Sequence, residues 1–294
     1  MNISVIISTL NRAAVLHDTV LSIQRQTVQP RQILIAAPGK KHVLPETLAL
    51  PFVEFIQSPV GSCAQRNAAF EALNRHTDLI AFLDDDIELC RSYMEEMTRL
   101  FESHPEIIVS SGVMLHDGGR SIRITREHAK ELCTAKDAVA TPGPIQLKSL
   151  DFGYGCNFIC RYSQAHKFRF DERLPLYGWL EDSDFSYRCT KGLRGPATNV
   201  RAYAVHLGWR SGRVSGLRLG FSTIVNPVYL RRKAQIFSRR HILVNFWARC
   251  LAGNIIGLLT KDQDYDRAGL LKGNFIAFRH LLSGHCEPEH VLEL

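Results

Sequence analysis

The chain has 294 residues, of which 45% are hydrophobic and 22% charged, a composition that supplies a full core and excludes wholesale disorder. Its formal net charge of +7 indicates an anionic partner, either a nucleotide, a phospholipid or nucleic acid. The 8 cysteines include no Cys-x-x-Cys pair, which argues against a zinc site and favours a reduced, cytoplasmic setting. Because a strand-like run begins at once, we expect no secretory signal peptide.

Short apolar strands alternate with helices through the first third of the chain. The β-branched run Ile3–Ser8 predicts a buried strand, and Leu16, Val20 and Ile23 then repeat at helical spacing. Further strands are predicted at 33–35, 52–56, 79–83, 107–109 and 152–159, and further helices from residue 62, near 93–101 and at 181–191. This alternation predicts an α/β fold, with a mostly parallel sheet sandwiched by helices and ligands beyond the carboxyl ends of its strands.

Two later regions have other patterns. Residues 116–148 lack clear periodicity and contain Gly118-Gly119 and Pro142-Gly143-Pro144, so we expect a long loop there. Beyond Pro227 the pattern is helical and basic. The last third of the chain holds a crowd of basic residues, namely Arg201, Arg210, Arg213, Arg218, Arg231, Arg232, Lys233, Arg239, Arg240 and Arg249.

The acidic run Asp84-Asp85-Asp86 directly follows an apolar strand. Carboxylates this close repel one another unless a cation lies among them, and Mg²⁺ typically binds one or two carboxylates together with substrate phosphates. Asp84 and Asp86, two residues apart, project to the same side of an extended chain. The alternative is a solvated acidic turn that caps the next helix.

A second acidic cluster, Glu181, Asp182 and Asp184, follows the aromatic segment Tyr177-Gly178-Trp179. Carboxylates in the first turn of a helix are often only partners of the helix dipole. That explanation leaves Trp179 without a role, whereas an aromatic ring beside a carboxylate suits sugar recognition. A carboxylate here could also deprotonate an attacking hydroxyl as a general base.

Two single features are weaker. Gly61 precedes a helix whose N-terminus and Arg66 could attract phosphate, although a structural turn explains the glycine equally well. His206 ends an apolar run, where a histidine is either a metal ligand or a hydrogen-bonded structural residue.

Together these segments resemble glycosyltransferase family 2, a group of inverting enzymes with the GT-A fold used in bacterial surface-polysaccharide assembly. The resemblance covers about residues 1–210. It rests on four segments in order: residues 5–12; Gly61 through Asn67; Phe82 through Asp86; and Gly155-Cys156-Asn157, Phe170-Asp171-Glu172 and Gly178 through Asp184, with Arg188.

The resemblance implies a role for each matching position. Asp182 corresponds to the general base, and Glu181 positions the substrate beside it. Asp86 would bind Mg²⁺ or Mn²⁺, with His206 as a further candidate ligand. The nucleotide would be bound by Thr9, Asn11, Arg12, Arg66 and Asp84, and the sugar or acceptor by Asn157 and Trp179. Asp184 and Arg188 are expected to be structural partners.

The resemblance also implies the partners and the organisation of the chain. A nucleoside diphosphate sugar, first of all a UDP-sugar, would be the donor, and nucleic acid is not expected as a partner. We expect a catalytic domain at 1–215, with a nucleotide-binding half at 1–115 and an acceptor half at 150–215. A basic helical extension would follow at 216–294. One departure concerns recognition of the nucleotide base. The family commonly has an acidic residue after its second strand, but this chain has Ala36-Ala37-Pro38-Gly39 there.

The extension mixes basic and apolar residues at helical spacing. The apolar stretch Ile242–Leu259 carries Arg249 near its centre, where a charge in a spanning helix costs about 2.5–3.5 kcal/mol, so a spanning helix is not expected. The pattern fits either a helix at the inner face of a membrane or ordinary packing. At a membrane, the acceptor would be a lipid-linked oligosaccharide rather than a free glycan.

Two other classes of protein share some of these features. A Mg-dependent nucleotidyltransferase would need a basic, glycine-rich loop after the first strand, but Thr9-Leu10-Asn11-Arg12 has no glycine. A non-catalytic module that binds glycans or anions would explain the basic tail but leaves the two acidic clusters unexplained.

Overall fold

The computed structural model describes residues 1–119, 121–139, 143–209, 214–260 and 265–294. These residues form two compact units. Unit 1 comprises Met1–Val60, Ala64–Phe170 and Phe185–Gly212, and unit 2 comprises Gly61–Cys63, Asp171–Asp184 and Arg213–Leu294. Three residues named in the sequence analysis lie outside the described residues. They are Pro142 of the predicted loop, and Arg210 and Arg213 of the basic residues in the last third of the chain.

The described strands of unit 1 form one sheet. They are β1 (Ile3–Ser8), β2 (Gln32–Ala37), β3 (Val53–Gln57), β4 (Leu79–Asp84), β5 (Ile87–Leu89), β6 (Val109–Asp117), β7 (Leu147–Ser149), β8 (Asn157–Arg161) and β9 (Ala197–His206). Their order is β3-β2-β1-β4-β8-β6-β9-β5, with β7 paired to β9. Pairing is parallel among β3, β2, β1 and β4 and between β6 and β9. The remaining pairings are antiparallel.

Both units contain helices. They are α1 (Ala13–Gln24), α2 (Pro45–Leu48), α3 (Ser62–Glu71), α4 (Tyr93–Ser103), α5 (Arg126–Ala138), α6 (Tyr162–Ala165), α7 (Glu181–Thr190), α8 (Gly216–Ala234), α9 (Arg239–His241), α10 (Arg249–Leu259) and α11 (Arg267–Leu282). A π-helical segment, Ile242–Ala248, joins α9 to α10. Short 3₁₀ turns lie at Lys40–His42 and Pro288–Glu293. The predicted α/β fold and helical C-terminal extension are confirmed. The sheet was predicted to be mostly parallel, but it is mixed: of the pairings between described strands, four are parallel and four are antiparallel.

The predicted loop at 116–148 is wrong. Strand β6 continues to Asp117, and α5 forms a regular helix whose first turn is capped by the side chain of Thr125. Only a narrow stripe of α5, including Ala129 and Cys133, is buried. A stripe this narrow, in a helix rich in charged residues, produces no visible apolar period.

Burial in the core of unit 1 explains why several strands could be predicted from the sequence. Strands β1, β2 and β4 are buried along nearly their whole length, as expected for parallel strands covered on both faces. Phe82 of β4 stacks on Phe158 of β8 with 4.8 Å between ring centroids, and Phe170 stacks on Phe185 at 4.2 Å. This aromatic packing fixes the strand that leads into the acidic run.

Unit 2 is held together by close helix packing. A Cβ on Gly220 of α8 would overlap the carbonyl of Leu270 in α11, and one on Gly273 of α11 would overlap the carbonyl of Leu217. Absence of side chains at these glycines lets the two backbones approach. The Asn274 side chain bridges the helices by donating to the Gly220 carbonyl at 2.7 Å.

Candidate active site

Three predicted residues of unit 1 come together at the end of β4. His206 Nε2 lies 3.3 Å from Asp86 Oδ1 and 3.9 Å from Asp84 Oδ2, and one ligand atom of each residue lies within 4.8 Å of the others. Ligands of one hard divalent ion, bound at roughly 2.0–2.6 Å, lie within about 5 Å of one another. The group Asp84, Asp86 and His206 therefore has the spacing of a metal site.

The hydrogen bonding of Asp86 fits a cation. Asp86 is 1% exposed, and its Oδ2 accepts a 2.6 Å bond from the Trp209 N–H. Its Oδ1 is buried and lies 3.3 Å from His206 Nε2 without good hydrogen-bond geometry, so a protonated imidazole is its charge partner. A buried carboxylate needs a positive charge beside it. A bound Mg²⁺ or Mn²⁺ would take the place of the imidazole proton, with Asp84 and the neutral imidazole of His206 as further ligands.

His206 is held from behind by residues that sequence analysis missed. Its Nδ1 lies 3.1 Å from Asp117 Oδ1, and the Tyr154 hydroxyl donates to Asp117 Oδ2 at 2.6 Å. A carboxylate behind a ligating histidine fixes the ring and leaves the opposite nitrogen, Nε2, for the metal. Asp117 aligns with His206 in the β6–β9 register, so the signal lay in strand pairing rather than in any local motif.

Two glycines make this arrangement possible. A Cβ on Gly118 would overlap the carbonyl of Leu207, and a Cβ on Gly208 would overlap that of Gly118. Gly208 also has φ +79°, a value that favours glycine. The ends of β6 and β9 can therefore approach closely enough for Asp117 to reach His206.

The charges of this group shift its pKa values in opposite directions. Burial raises the pKa of Asp84, and burial together with the neighbouring Asp86 raises that of Asp85 to about 6. Burial would also raise the pKa of Asp86, but His206 and Arg12 hold it at about 2. Burial would lower the pKa of His206, but the carboxylates of Asp86 and Asp117 raise it to about 10. A proton therefore occupies His206 in the metal-free protein, and a metal would displace it.

Asp85 organises the loop that follows β1. It accepts a 2.7 Å hydrogen bond from the Thr9 hydroxyl and forms a 2.8 Å ion pair with Arg12. Arg12 also donates to the Trp209 carbonyl at 2.9 Å. Thr9 and Arg12, both predicted to bind the nucleotide, thus contact the acidic run directly, and Asp85 is a further residue that sequence analysis did not single out.

The other predicted nucleotide residues have different surroundings. Arg66 is 3% exposed and donates to Asp84 Oδ1 at 3.4 Å and to the Gly155 carbonyl at 3.1 Å, so its charge is directed at Asp84. Asn11 is exposed, has φ 58°, and its N–H donates to His42 Nδ1 at 3.2 Å. Its left-handed backbone is one that asparagine tolerates better than most residues.

Asn157 does not match its predicted role. Its side chain is fully buried and donates to the Gly112 carbonyl at 3.3 Å. With no exposed surface, the predicted contact with a sugar or acceptor is not supported at this position. The polarity of Asn157 fits a strand residue that ties β8 to β6.

The predicted base and its neighbours lie in unit 2. Glu181, Asp182 and Asp184 all fall in the first turn of α7. Asp182 is partly exposed, and its Oδ1 accepts the Ser183 N–H at 2.6 Å. Glu181 is 8% exposed. Of these residues, Asp182 has the accessible carboxylate that a general base requires.

The segment before α7 has an unusual backbone. Leu176, Gly178 and Leu180 all have positive φ, between 58° and 73°. Such conformations in residues other than glycine cost about 1–3 kcal/mol and persist where the surroundings impose them, often at functional sites. Trp179 lies in this segment. Its carbonyl accepts a 2.9 Å bond from Asn226, and its Nε1 is buried without a hydrogen-bond partner among the described residues.

Helix α8 supports the acidic turn from within unit 2. Lys233 Nζ lies 3.0 Å from both oxygens of Asp184 and 2.7 Å from Asp171 Oδ2. The Tyr229 hydroxyl donates to the same Asp171 oxygen at 2.7 Å. Burial opposes the charge of Asp171, but Lys233 and Tyr229 hold its pKa below the usual value. Asp184 therefore has the structural role predicted for it, two residues from Asp182.

Comparison with known proteins gives the class of this site. A sequence profile described as Glycosyl transferase family 2 matches residues 4–168, more than half of the chain. None of the curated proteins matches the sequence.

Solved structures show the same fold at low sequence identity. S. aureus TarS 1-349 in complex with UDP-GlcNAc superposes with a TM-score of 0.58 at 15% identity, covering 99% of this chain and 83% of TarS. The mannosyltransferase PcManGT from Pyrobaculum calidifontis, in complex with GDP-Man and Mn²⁺, gives a TM-score of 0.58 at 13% identity. It covers 99% of this chain and 85% of that enzyme.

The fold and the family match define a glycosyltransferase with a GT-A-like fold. The chain belongs to glycosyltransferase family 2. This membership separates it from the two other classes considered, the nucleotidyltransferase and the non-catalytic binding module.

Proposed function

We propose that this glycosyltransferase moves a sugar from a nucleoside diphosphate sugar to a hydroxyl of a glycan or lipid-linked oligosaccharide, with inversion at the anomeric carbon. The observation that carries the proposal is the group Asp84, Asp86 and His206, whose ligand atoms lie within 4.8 Å of one another. A carboxylate and imidazole set of this kind suits a divalent cation that meets phosphate oxygens.

The reaction is one displacement. Asp182 takes the proton of the acceptor hydroxyl while that oxygen forms a bond to the anomeric carbon. The bond from this carbon to the phosphate oxygen breaks, and the diphosphate leaves with the bonding electrons. Because attack comes from the face opposite the leaving group, the configuration inverts.

Charge on the leaving diphosphate must be stabilised. Asp86, Asp84 and His206 would hold Mg²⁺ or Mn²⁺, which when bound supplies positive charge to the diphosphate oxygens. Arg12 is held beside the acidic run by Asp85, and Arg66 offsets the charge of Asp84. Glu181 would position the substrate beside Asp182, and Trp179 would present an apolar ring face to a sugar.

UDP is the first choice of carrier. TarS binds UDP-GlcNAc, whereas the mannosyltransferase with a similar fold binds GDP-Man. The segment Ala36-Ala37-Pro38-Gly39 offers no acidic side chain to read a base. Thr9 and Asn11 would therefore contact the nucleotide through the loop after β1, and the backbone of Asn11 is tied to His42.

The organisation and setting of the chain complete the proposal. Residues 1–215 would form the catalytic domain, with 1–115 as its nucleotide half and 150–215 as its acceptor half, and 216–294 would form the extension. A cytoplasmic setting is supported by the eight cysteines, all of which are free thiols. A lipid-linked acceptor would bring the enzyme to the inner face of a membrane.

A panel of nucleotide sugars tests the function. The protein is incubated with UDP-, GDP- and dTDP-sugars and Mn²⁺, and released nucleoside diphosphate is measured with and without a lipid-linked oligosaccharide mixture. We expect acceptor-stimulated release from one UDP-sugar and inverted stereochemistry in the product by NMR. Retained stereochemistry, or no release from any donor, would contradict the proposal.

A further inference from the structure

One long segment of the chain carries no negative side chain. Residues 185–261 contain fourteen Lys and Arg and no Asp or Glu, whereas acidic residues outnumber basic ones in the rest of the chain. Nine of the fourteen belong to unit 2, where this excess of positive charge favours an anionic partner. The part of this segment in unit 2 includes α8, α9 and α10.

Within unit 2, the helical stretch Arg239–Leu259 presents an apolar surface to solvent. It is 21 residues long and mostly apolar, and only a small part of it is buried. A core helix of a soluble domain would be mostly buried. Its exposed large side chains are Leu243, Val244, Ile255, Ile256, Leu258 and Leu259, each at least 48% exposed.

The opposite face of this stretch is fixed to unit 2. Ile242, Asn254 and Gly257 are buried. The Asn254 side chain donates to Asn274 of α11 at 3.0 Å, and Trp247 Nε1 donates to the Ile224 carbonyl of α8 at 3.2 Å. The helix is therefore already packed on one side, and its apolar side is a rigid outer surface.

Basic side chains accompany the apolar surface. Arg239, Arg240 and Arg249 are exposed and belong to the same stretch, and Arg232 is exposed just before it. A spanning helix would place Arg249 near the bilayer centre, at a cost of about 2.5–3.5 kcal/mol. A helix lying in the interface buries its apolar face and keeps its arginines among the headgroups.

We propose that the stretch Arg239–Leu259 lies in the plane of an anionic membrane, with its exposed leucine, isoleucine and valine side chains among the acyl chains and its arginines at the lipid phosphates. The inference extends the proposed function by naming the surface at which a lipid-linked acceptor would be met, and it rests on that function only for the acceptor. The binding itself requires no sugar transfer.

Vesicle co-sedimentation of the full chain tests the binding. Vesicles of phosphatidylcholine with 30% phosphatidylglycerol are compared with pure phosphatidylcholine at about 0.05 and 0.5 M NaCl. We expect sedimentation with the anionic vesicles at low salt and at least tenfold weaker partitioning at high salt or without the anionic lipid. Equal partitioning into both lipids, or none, would overturn the proposal.

Matched variants locate the binding surface. Ile256→Ser with Leu259→Ser should weaken partitioning at least tenfold, whereas Ile122→Ser with Val139→Ser, at exposed apolar positions of unit 1, should leave it unchanged. Arg239→Ala should weaken partitioning about fivefold. Equal losses for both serine pairs would overturn the assignment. Circular dichroism and the melting temperature verify that each variant is folded.

Four further outcomes are decisive. A concentration-dependent dimer in light scattering that the Ile256→Ser and Leu259→Ser pair abolishes, without vesicle binding, would mean that a second copy covers the surface. Binding that resists high salt and alkaline extraction would mean a spanning helix. Vesicle binding without donor turnover would leave the membrane surface standing and remove the proposed function, whereas turnover without vesicle binding would do the reverse.

Discussion

The carboxylate of Asp86 has one oxygen in a 2.6 Å hydrogen bond with the Trp209 N–H and the other 3.3 Å from His206 Nε2. The pKa of Asp86, held at about 2 by His206 and Arg12 against the effect of burial, keeps it ionised at neutral pH. An ionised carboxylate beside an imidazole and a second carboxylate is a set of ligands that suits a divalent cation. At the scale of single residues, this group is the observation that supports metal binding.

Removal of this carboxylate should remove metal-dependent donor binding. For Asp86→Ala we expect Mn²⁺ and UDP together to bind at least a hundredfold more weakly, since the metal would lose its most buried ligand. Isothermal titration with Mn²⁺, with UDP and with both gives the affinities. Asp151→Ala, at an exposed aspartate of unit 1, is the control. An unchanged Mn²⁺ titration would refute the role of Asp86.

Asp117 should act through His206 rather than on the substrate. For Asp117→Asn we expect Mn²⁺ affinity to fall roughly 10–100-fold, because the imidazole loses the carboxylate that orients it. Electron paramagnetic resonance of Mn²⁺ measures free and bound metal without turnover. Asp151→Asn should have the wild-type affinity. A wild-type value for Asp117→Asn as well would mean that its contact with His206 is only structural.

At the scale of elements, α8 stabilises the turn that carries Asp182. Its Lys233 pairs with Asp184, which is fully buried, and with Asp171. Removing one partner of a buried pair is costly because the remaining charge stays buried. Residues of α8 therefore contribute to the order of the turn that carries Asp182.

Lys233→Met should reduce the free energy of unfolding by about 1–3 kcal/mol at neutral pH. Because the pKa of Asp171 is lowered on folding, its contribution is full above the unfolded value of 3.8 and is lost as the pH falls through the lower folded value. The difference between variant and wild type should therefore shrink below about pH 4. Urea unfolding between pH 3 and 7 measures it, with Lys130→Met as the exposed control. A difference that stays constant down to pH 3 would contradict the pairing.

The sequence predicts some elements well for a physical reason. Strands β1, β2 and β4 are short apolar runs buried on both faces, and the acidic run lies at the end of β4. The local sequence pattern is therefore enough to predict these elements. Asp84, Asp86 and His206 were all singled out this way. Asp85 was overlooked because its partners, Thr9 and Arg12, lie more than seventy residues away.

Other parts depend on pairing between distant segments. Asp117 reaches His206 only because β6 lies beside β9, with glycines at both strand ends, and no pattern near residue 117 indicates this. Helix α5 was missed because so little of it is buried. Asn157 was assigned to the substrate because it stands in a recognised segment, yet its burial between strands gives it a structural role.

At the scale of the whole molecule, ligand binding should increase resistance to heat. A ligand at about one hundred times its dissociation constant stabilises the folded protein by about 2.7 kcal/mol. For a chain of this size we expect UDP with Mn²⁺ to raise the melting temperature by roughly 5 °C. Differential scanning fluorimetry with UDP, GDP and ADP measures the shift, and a chelator should abolish it. A larger increase in melting temperature with GDP than with UDP would mean that GDP is the carrier.

The proposed function assigns binding of the donor to Asp84, Asp86 and His206, and deprotonation of the acceptor to Asp182. Single-turnover kinetics and donor titration of Asp182→Asn test it, with Glu293→Gln as an exposed control. We predict that donor and Mn²⁺ affinity stay within about threefold of wild type while the rate of sugar transfer falls by about 10²–10⁴. Sugar transfer at the wild-type rate would contradict the account.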